Sequence, residues 1–120
     1  MGDLSDHFSR WEFRCKCGCG FDDVKPFLVS RLEHMRRELG RPIHINSGCR
    51  CVPYNHLVGG VDQSEHTYGS AADLQCGSSS ERFDLCRLAL GAGFNRIGIG
   101  KTFIHVGIAE DKPQRVIWLY

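Results

Sequence analysis

No apolar run in these 120 residues approaches the roughly 18 that a membrane-spanning helix needs. No basic segment followed by an apolar one opens the chain, so no secretion leader is expected. Synthesis in the cytoplasm is expected, and action outside it would depend on release or on export by another route. The net charge is only +1, and no basic stripe interleaved with aromatic residues occurs. That balance gives no electrostatic reason to expect nucleic acid or an anionic membrane as partner, and it argues against a cysteine-rich nucleic-acid-binding module. Internal repeats, low-complexity tracts and Pro/Ser-rich linkers are all missing, so residues 1–120 are expected to form one domain with a modest core, acting as a monomer.

Cysteine, by contrast, is plentiful. Seven occur in 120 residues, an odd number that leaves at least one unpaired within a monomer. Five fall in two groups, Cys15/Cys17/Cys19 and Cys49/Cys51, while Cys76 and Cys86 stand apart. Three readings of the groups stay open: a disulfide tying the N-terminal segment to the Cys49/Cys51 loop, reduced structural thiols, and a second, structural zinc. Cys-x-Cys is tighter than the two-to-four-residue gap usual in structural zinc sites, which argues against the last.

The most informative stretch runs from Ser64 to Asp73, Ser-Glu-His-Thr-Tyr-Gly-Ser-Ala-Ala-Asp. His66, a carboxylate seven residues later at Asp73, and a distant histidine at His105 provide three N/O ligands. A catalytic zinc uses that number while keeping its fourth position open. Gly69 permits a sharp turn after the first ligand, and Ser70, Ala71 and Ala72 are small enough for backbone to pack closely. Asp73 lies in a strand-like run, where burying an acid is costly unless it is paired or bound to metal. Around His105 the period-two rule puts Ile104, Val106 and Ile108 on one face and Phe103, His105 and Gly107 on the other. One face is core and the other a site, and the residues read as a zinc hydrolase.

Ser64, His66, Gly69, Ala71 and Asp73 fit the pattern S-x-H-x-x-G-x-A-x-D, and the chain thereby resembles the zinc D-alanyl-D-alanine carboxypeptidases and related murein endopeptidases. These are similar in fold to lysostaphin-type peptidases and the hedgehog domain. Ser47-Gly48-Cys49-Arg50-Cys51 looks like the family's S-G-x-R-C segment, and Phe103-Ile104-His105-Val106 like its third-ligand strand. Leu4-Ser5 and the run Glu12-Phe13-Arg14-Cys15-Lys16-Cys17-Gly18-Cys19-Gly20 resemble the opening of short, phage-type members.

The resemblance implies one catalytic Zn2+ on His66, Asp73 and His105, with Arg50 binding substrate or stabilising the tetrahedral intermediate. It implies a peptidoglycan peptide as substrate, cut by a metallopeptidase of the carboxypeptidase or endopeptidase kind, in an endolysin or a wall-remodelling enzyme. Ser64 is a candidate for binding a substrate carboxylate, or equally for capping the ligand loop. The chain departs from its relatives where many carry Glu or Asp three residues before the last histidine, or Asp two after it; here stand Thr102 and Gly107. Glu65, Asp62, Glu110 and His56 are the substitutes considered for a general base. The missing acids also leave open a zinc-stabilised, catalytically silent module that binds wall or protein.

Local patterns supply the scaffold. Ser9 and Glu12 have capping-box spacing, with Phe8, Trp11 and Phe13 as apolar anchors. A helix is expected to start at Asp22-Asp23-Val24-Lys25-Pro26 with a capping acid, to bury Leu28, Leu32, Met35 and Leu39, and to end at Gly40. Its charged residues, Glu33 among them, are assigned to solvent. A short strand over 42–46, a helical turn over 52–57, a helix over 78–90 with Phe83, Cys86 and Leu90 buried, and strands over 96–99, 103–108 and 115–120 follow. The expected fold is α+β: a small, mainly antiparallel sheet, its last three strands a meander, with helices packed on one face and a zinc cleft on the other.

Overall fold

A computed structural model describes residues 2–120. Five strands, β1 (Ile45–Ser47), β2 (Ala71–Gln75), β3 (Arg96–Ile99), β4 (Phe103–Gly107) and β5 (Val116–Leu119), form one sheet in the order β1-β2-β4-β3-β5. Every neighbouring pair is antiparallel except β3 and β5. The α+β expectation holds, but the meander does not. β4 has β2 on one edge and β3 on the other, so the last strand must add to the free edge of β3. One more reversal after β4 brings it there parallel to β3.

Three helices accompany the sheet: α1 (Pro26–Leu39), α2 (Val52–Leu57) and α3 (Ser79–Gly91). Leu28, Leu32 and Met35 of α1 are fully buried, and Gly40, at φ 76°, closes the helix by donating its N–H to the Arg36 carbonyl. The expected acidic cap is not used. Lys25 takes the N-cap position, and its N–H is bound 2.9 Å from the Gly69 carbonyl, so a tertiary contact with the ligand loop sets the start of this helix. α3 begins as expected, with Ser78 Oγ accepting from the Glu81 N–H at 3.1 Å. Its buried face is different: Leu85, Leu88 and Ala89 go inward, while Phe83 and Leu90 are exposed. Apolar residues occupy two faces of α3, so periodicity could not choose between them. Ala89 lets the helix approach the core closely.

The core joins α1 and α3 to one face of the sheet, through Ala72 and Leu74 of β2, Ile97 of β3, and Ile104 and Val106 of β4, while α2 packs beside the Glu65–Tyr68 turn. By alternation the opposite face carries Asp73, His105 and Gly98.

The N-terminal segment is pinned to α1 by a carboxylate expected in solvent. Glu33 is buried; its Oε1 accepts from the Ser5 hydroxyl (2.7 Å) and the His7 N–H (2.8 Å), and Oε2 lies 2.6 Å from His7 Nδ1. Phe8 and Phe13 anchor this segment as expected, whereas Trp11 lies exposed. Burial alone would raise the Glu33 carboxyl, but the hydrogen bonds from Ser5 and His7 outweigh it and hold the group below its ordinary range. A carboxyl depressed in the folded state stabilises above its unfolded value, about pH 4.3, and loses that contribution as pH falls through the lower folded value. Glu33→Gln is therefore expected to cost about 1–3 kcal/mol near neutral pH. The gap from the unaltered protein should narrow below about pH 4, as urea unfolding at both pH values would record; a gap independent of pH would contradict this.

Candidate active site

Residues 64–75 build most of the site. The 3₁₀ turn Glu65–Tyr68 is capped by Ser64, whose Oγ accepts from the His66 N–H at 3.3 Å. Gly69 follows at φ 70°, and a Cβ there would collide with the Asp23 carbonyl, so the position needs glycine on both counts. The chain then enters β2. The spacing between His66 and Asp73 is thus one tight turn plus the first residues of a strand.

Sheet register does the rest. Asp73 pairs with His105 on β4, His105 with Gly98 on β3, and Gly98 with Trp118 on β5, while Ser47 of β1 pairs with Asp73. One row across the sheet therefore lays these side chains side by side on the face away from the core. Gly98 is required by its neighbours, because a Cβ would run into the rings of Trp118 and Tyr120. The Trp118 indole lies 5.3 Å from the His105 ring, centroid to centroid.

The two imidazoles are held from behind. His66 Nδ1 lies 2.6 Å from the Gly48 carbonyl oxygen, which can only accept, so this nitrogen carries the proton. His105 Nε2 lies 2.6 Å from Glu65 Oε2 and donates to it in the same way. In the neutral rings the remaining nitrogens, His66 Nε2 and His105 Nδ1, present lone pairs. Both face Asp73 Oδ1, at 3.3 and 3.0 Å. Two imidazole lone pairs and a carboxylate oxygen, all on buried residues, thus point at one another and call for a cation between them. This donor set, with both imidazoles oriented by acceptors behind them, fits a single zinc ion.

Electrostatics around these groups is strong. Burial would raise the Asp73 carboxyl, but when protons and not a metal occupy the facing nitrogens, the hydrogen bonds and charge of His105 and His66 hold it well below the usual carboxylate range. His105 is pushed down by burial and further up by Asp73 and Glu65, ending above an ordinary histidine. Proton and metal compete for the same nitrogen.

Glu65, considered from the sequence as a substitute general base, sits behind His105 instead. Its carboxylate is 2% exposed and fully engaged, accepting from His105 Nε2, from Arg96 Nε at 3.1 Å and from the Ala109 N–H at 3.1 Å. A Cβ on Gly107 would occupy the space that this carboxylate fills. Glycine at 107 and glutamate at 65 therefore go together: the acid beside the last histidine arrives from the ligand loop, not from β4. Of the other substitutes considered for a general base, Asp62, Glu110 and His56 are exposed and do not line the cleft.

Arg50 leaves the segment after β1 and reaches over Asp73. Its Nη2 donates to Asp73 Oδ2 (3.1 Å), its Nε to Ser47 Oγ (3.0 Å) and its Nη1 to Asn55 Oδ1 (3.1 Å). Together these groups floor a cleft of about 520 Å³. Phe103, Trp118 and Tyr120 form an aromatic wall, and Lys112 and residues 58–61 complete the rim.

Sequence reasoning brought together His66, Asp73, His105, Arg50 and Ser64, and the fold places all five at this cleft. It passed over Arg96, the Gly48 carbonyl and the aromatic wall. Glycines at the site-facing positions 98 and 107 of otherwise apolar strands were the available sign that something bulky approaches that face.

Similarity to known proteins agrees with this geometry. The model of the family described as Peptidase M15 matches residues 6–107. Over 71 residues, 56% of this chain, the sequence is 44% identical to the "Zinc D-Ala-D-Ala carboxypeptidase" of Streptomyces albus G. The matched stretch is 26% of that relative's length, so the likeness is to one part of a longer protein. With the family match extending from the N-terminal clasp through the His105 strand, the chain belongs to the peptidase M15 family.

Proposed function

We propose that this chain is a zinc-dependent peptidase that hydrolyses the peptide stems of peptidoglycan. The observation that carries the reading is the meeting of His66 Nε2, Asp73 Oδ1 and His105 Nδ1 at the floor of an open cleft beneath Arg50. These three residues would hold the ion. Zinc in such a site supplies a Lewis acid for a carbonyl and a source of hydroxide near neutral pH.

The chain's own residues supply position and charge. Three bonds fix the Arg50 guanidinium, and two further N–H groups remain for a substrate oxygen, either a carboxylate or the oxyanion that develops at the scissile carbonyl. Glu65 holds His105 in the tautomer that turns Nδ1 toward the ion, and the Gly48 carbonyl does the same for His66. Ser64 caps the His66 turn by accepting from its N–H, which leaves the O–H itself to donate toward a substrate carboxylate at the cleft wall. Phe103, Trp118 and Tyr120 offer apolar surface to the small side chains of a stem peptide. Similarity to a zinc D-Ala-D-Ala carboxypeptidase supports a D-Ala-D-Ala bond as the one cut. The finer alternatives are an endopeptidase acting at L-Ala-D-Glu or another D-centre, and an endolysin-like or wall-remodelling role outside the cytoplasm.

Mass spectrometry of soluble products tests this, after incubation of zinc-loaded protein with purified peptidoglycan with and without chelator. Chelator-sensitive release of D-Ala is expected for the carboxypeptidase, and of cut stem peptides for the endopeptidase. Absence of both products from several wall types would overturn the peptidase reading in favour of a silent binding module.

A further inference from the structure

A second cluster, away from the cleft, has the dimensions of a metal site. The sulfurs of Cys15, Cys17 and Cys51 form a near-equilateral triangle, with separations of 3.5 Å (Cys15–Cys17), 3.8 Å (Cys15–Cys51) and 3.6 Å (Cys17–Cys51). Cys19 Sγ completes the group, all four sulfurs lying within 4.8 Å of one another. Four thiolates around zinc at about 2.3 Å sit about 3.8 Å apart, edge to edge of the tetrahedron. A disulfide would draw a pair of these sulfurs to about 2.05 Å, whereas all four are free thiols. From this geometry we infer that Cys15, Cys17, Cys19 and Cys51 bind a second, structural zinc ion.

The close Cys-x-Cys spacing is accommodated by the backbone. Gly18 and Gly20, each directly after a cysteine, adopt φ of +85° and +92°, in the left-handed region that curls a chain tightly. Three alternate cysteines can then turn toward one centre instead of spreading along a strand. Backbone N–H groups also point at the sulfurs: that of Cys51 at Cys15 Sγ (3.4 Å) and that of Phe21 at Cys19 Sγ (3.5 Å). Such N–H···S contacts favour thiolate over thiol and are the outer shell expected around a sulfur-bound metal. Cys17 and Cys19 are exposed, so an ion can enter from solvent. Cys49, Cys76 and Cys86 lie outside the group.

The ion would act as a clip. Cys51 is the N-cap of α2 and follows Arg50 directly, and the neighbouring Cys49 N–H donates to the Phe13 carbonyl at 2.8 Å. Zinc at the cysteines would fasten the N-terminal segment to the loop that carries both Gly48, the acceptor behind His66, and Arg50. It would stabilise the rear of the cleft without touching substrate.

Metal analysis and zinc-edge X-ray absorption on protein purified under reducing conditions test the inference. Asp73→Ala, which dismantles the cleft site, should keep one zinc ion in an all-sulfur shell at about 2.3 Å. The double variant Cys17→Ser/Cys19→Ser should lose that ion. In the unaltered protein, alkylation of the exposed Cys17 and Cys19 should be slow until a chelator is added, a readout that needs no variant to fold. Absence of any sulfur-bound zinc, free alkylation of both thiols without chelator, or an intact mass showing a disulfide within the group would each overturn it. Iron in the same sulfur shell would overturn the choice of zinc.

Discussion

Glu65→Ala is expected to weaken zinc binding by about 10- to 100-fold and to destabilise the protein by about 3–5 kcal/mol. The two effects have different origins. Zinc affinity falls because His105 Nε2 loses the carboxylate 2.6 Å behind it, so that neither the tautomer nor the ring orientation is held. Stability falls because Arg96, itself buried, is left without its counter-charge, and the Ala109 N–H without its acceptor. Glu65→Gln separates them: the amide oxygen can still accept from His105, while the guanidinium of Arg96 loses its ionic partner. Competition with a chromophoric chelator would measure the first effect and urea unfolding the second. Unchanged zinc affinity in Glu65→Ala would mean that the contact does not orient His105.

Arg50→Ala is expected to lower kcat by about 10²–10³, the usual loss on removing a donor aimed at developing negative charge. Zinc affinity should fall much less, since Arg50 touches Asp73 through Oδ2 while Oδ1 faces the imidazoles. Arg50→Lys should rescue little: an ammonium cannot reach Ser47, Asn55 and Asp73 together and still present a fork to substrate. Steady-state kinetics on an acyl-D-Ala-D-Ala peptide, with zinc content measured in the same samples, would separate these effects. A loss of activity that merely tracks lost zinc would remove Arg50 from the chemistry and leave it a support for Asp73.

The ligand set was legible because it obeys local rules. A turn with a required glycine spans His66 to Asp73, and strict alternation around His105 separates core from site. Arg50 was reachable through a motif at the end of a strand. Glu65 was harder, because nothing in the sequence distinguishes an acid that turns inward beside His66 from one that turns to solvent; the decision lies in Gly107 and Arg96, about forty and thirty residues away in sequence. Glu33 illustrates the same limit on α1, where partners at Ser5 and His7 make burial tolerable for a residue that helical charge patterning assigns to water. The meander failed on topology: strand patterns report that β5 exists, whereas the occupation of both edges of β4 decides where it goes. On α3 two apolar faces competed, and packing chose the one containing Ala89.

In the proposed function His66, Asp73 and His105 would hold the zinc ion of a peptidase acting at a D-amino-acid bond. The most direct test is to add zinc back to metal-free protein while following release of D-Ala from an acyl-D-Ala-D-Ala peptide, with Asp73→Ala in parallel. Activity that returns with zinc in the unaltered protein, and stays absent in Asp73→Ala even with excess zinc, is the predicted result. Hydrolysis that persists in Asp73→Ala, or that needs no zinc in the unaltered protein, would contradict the account.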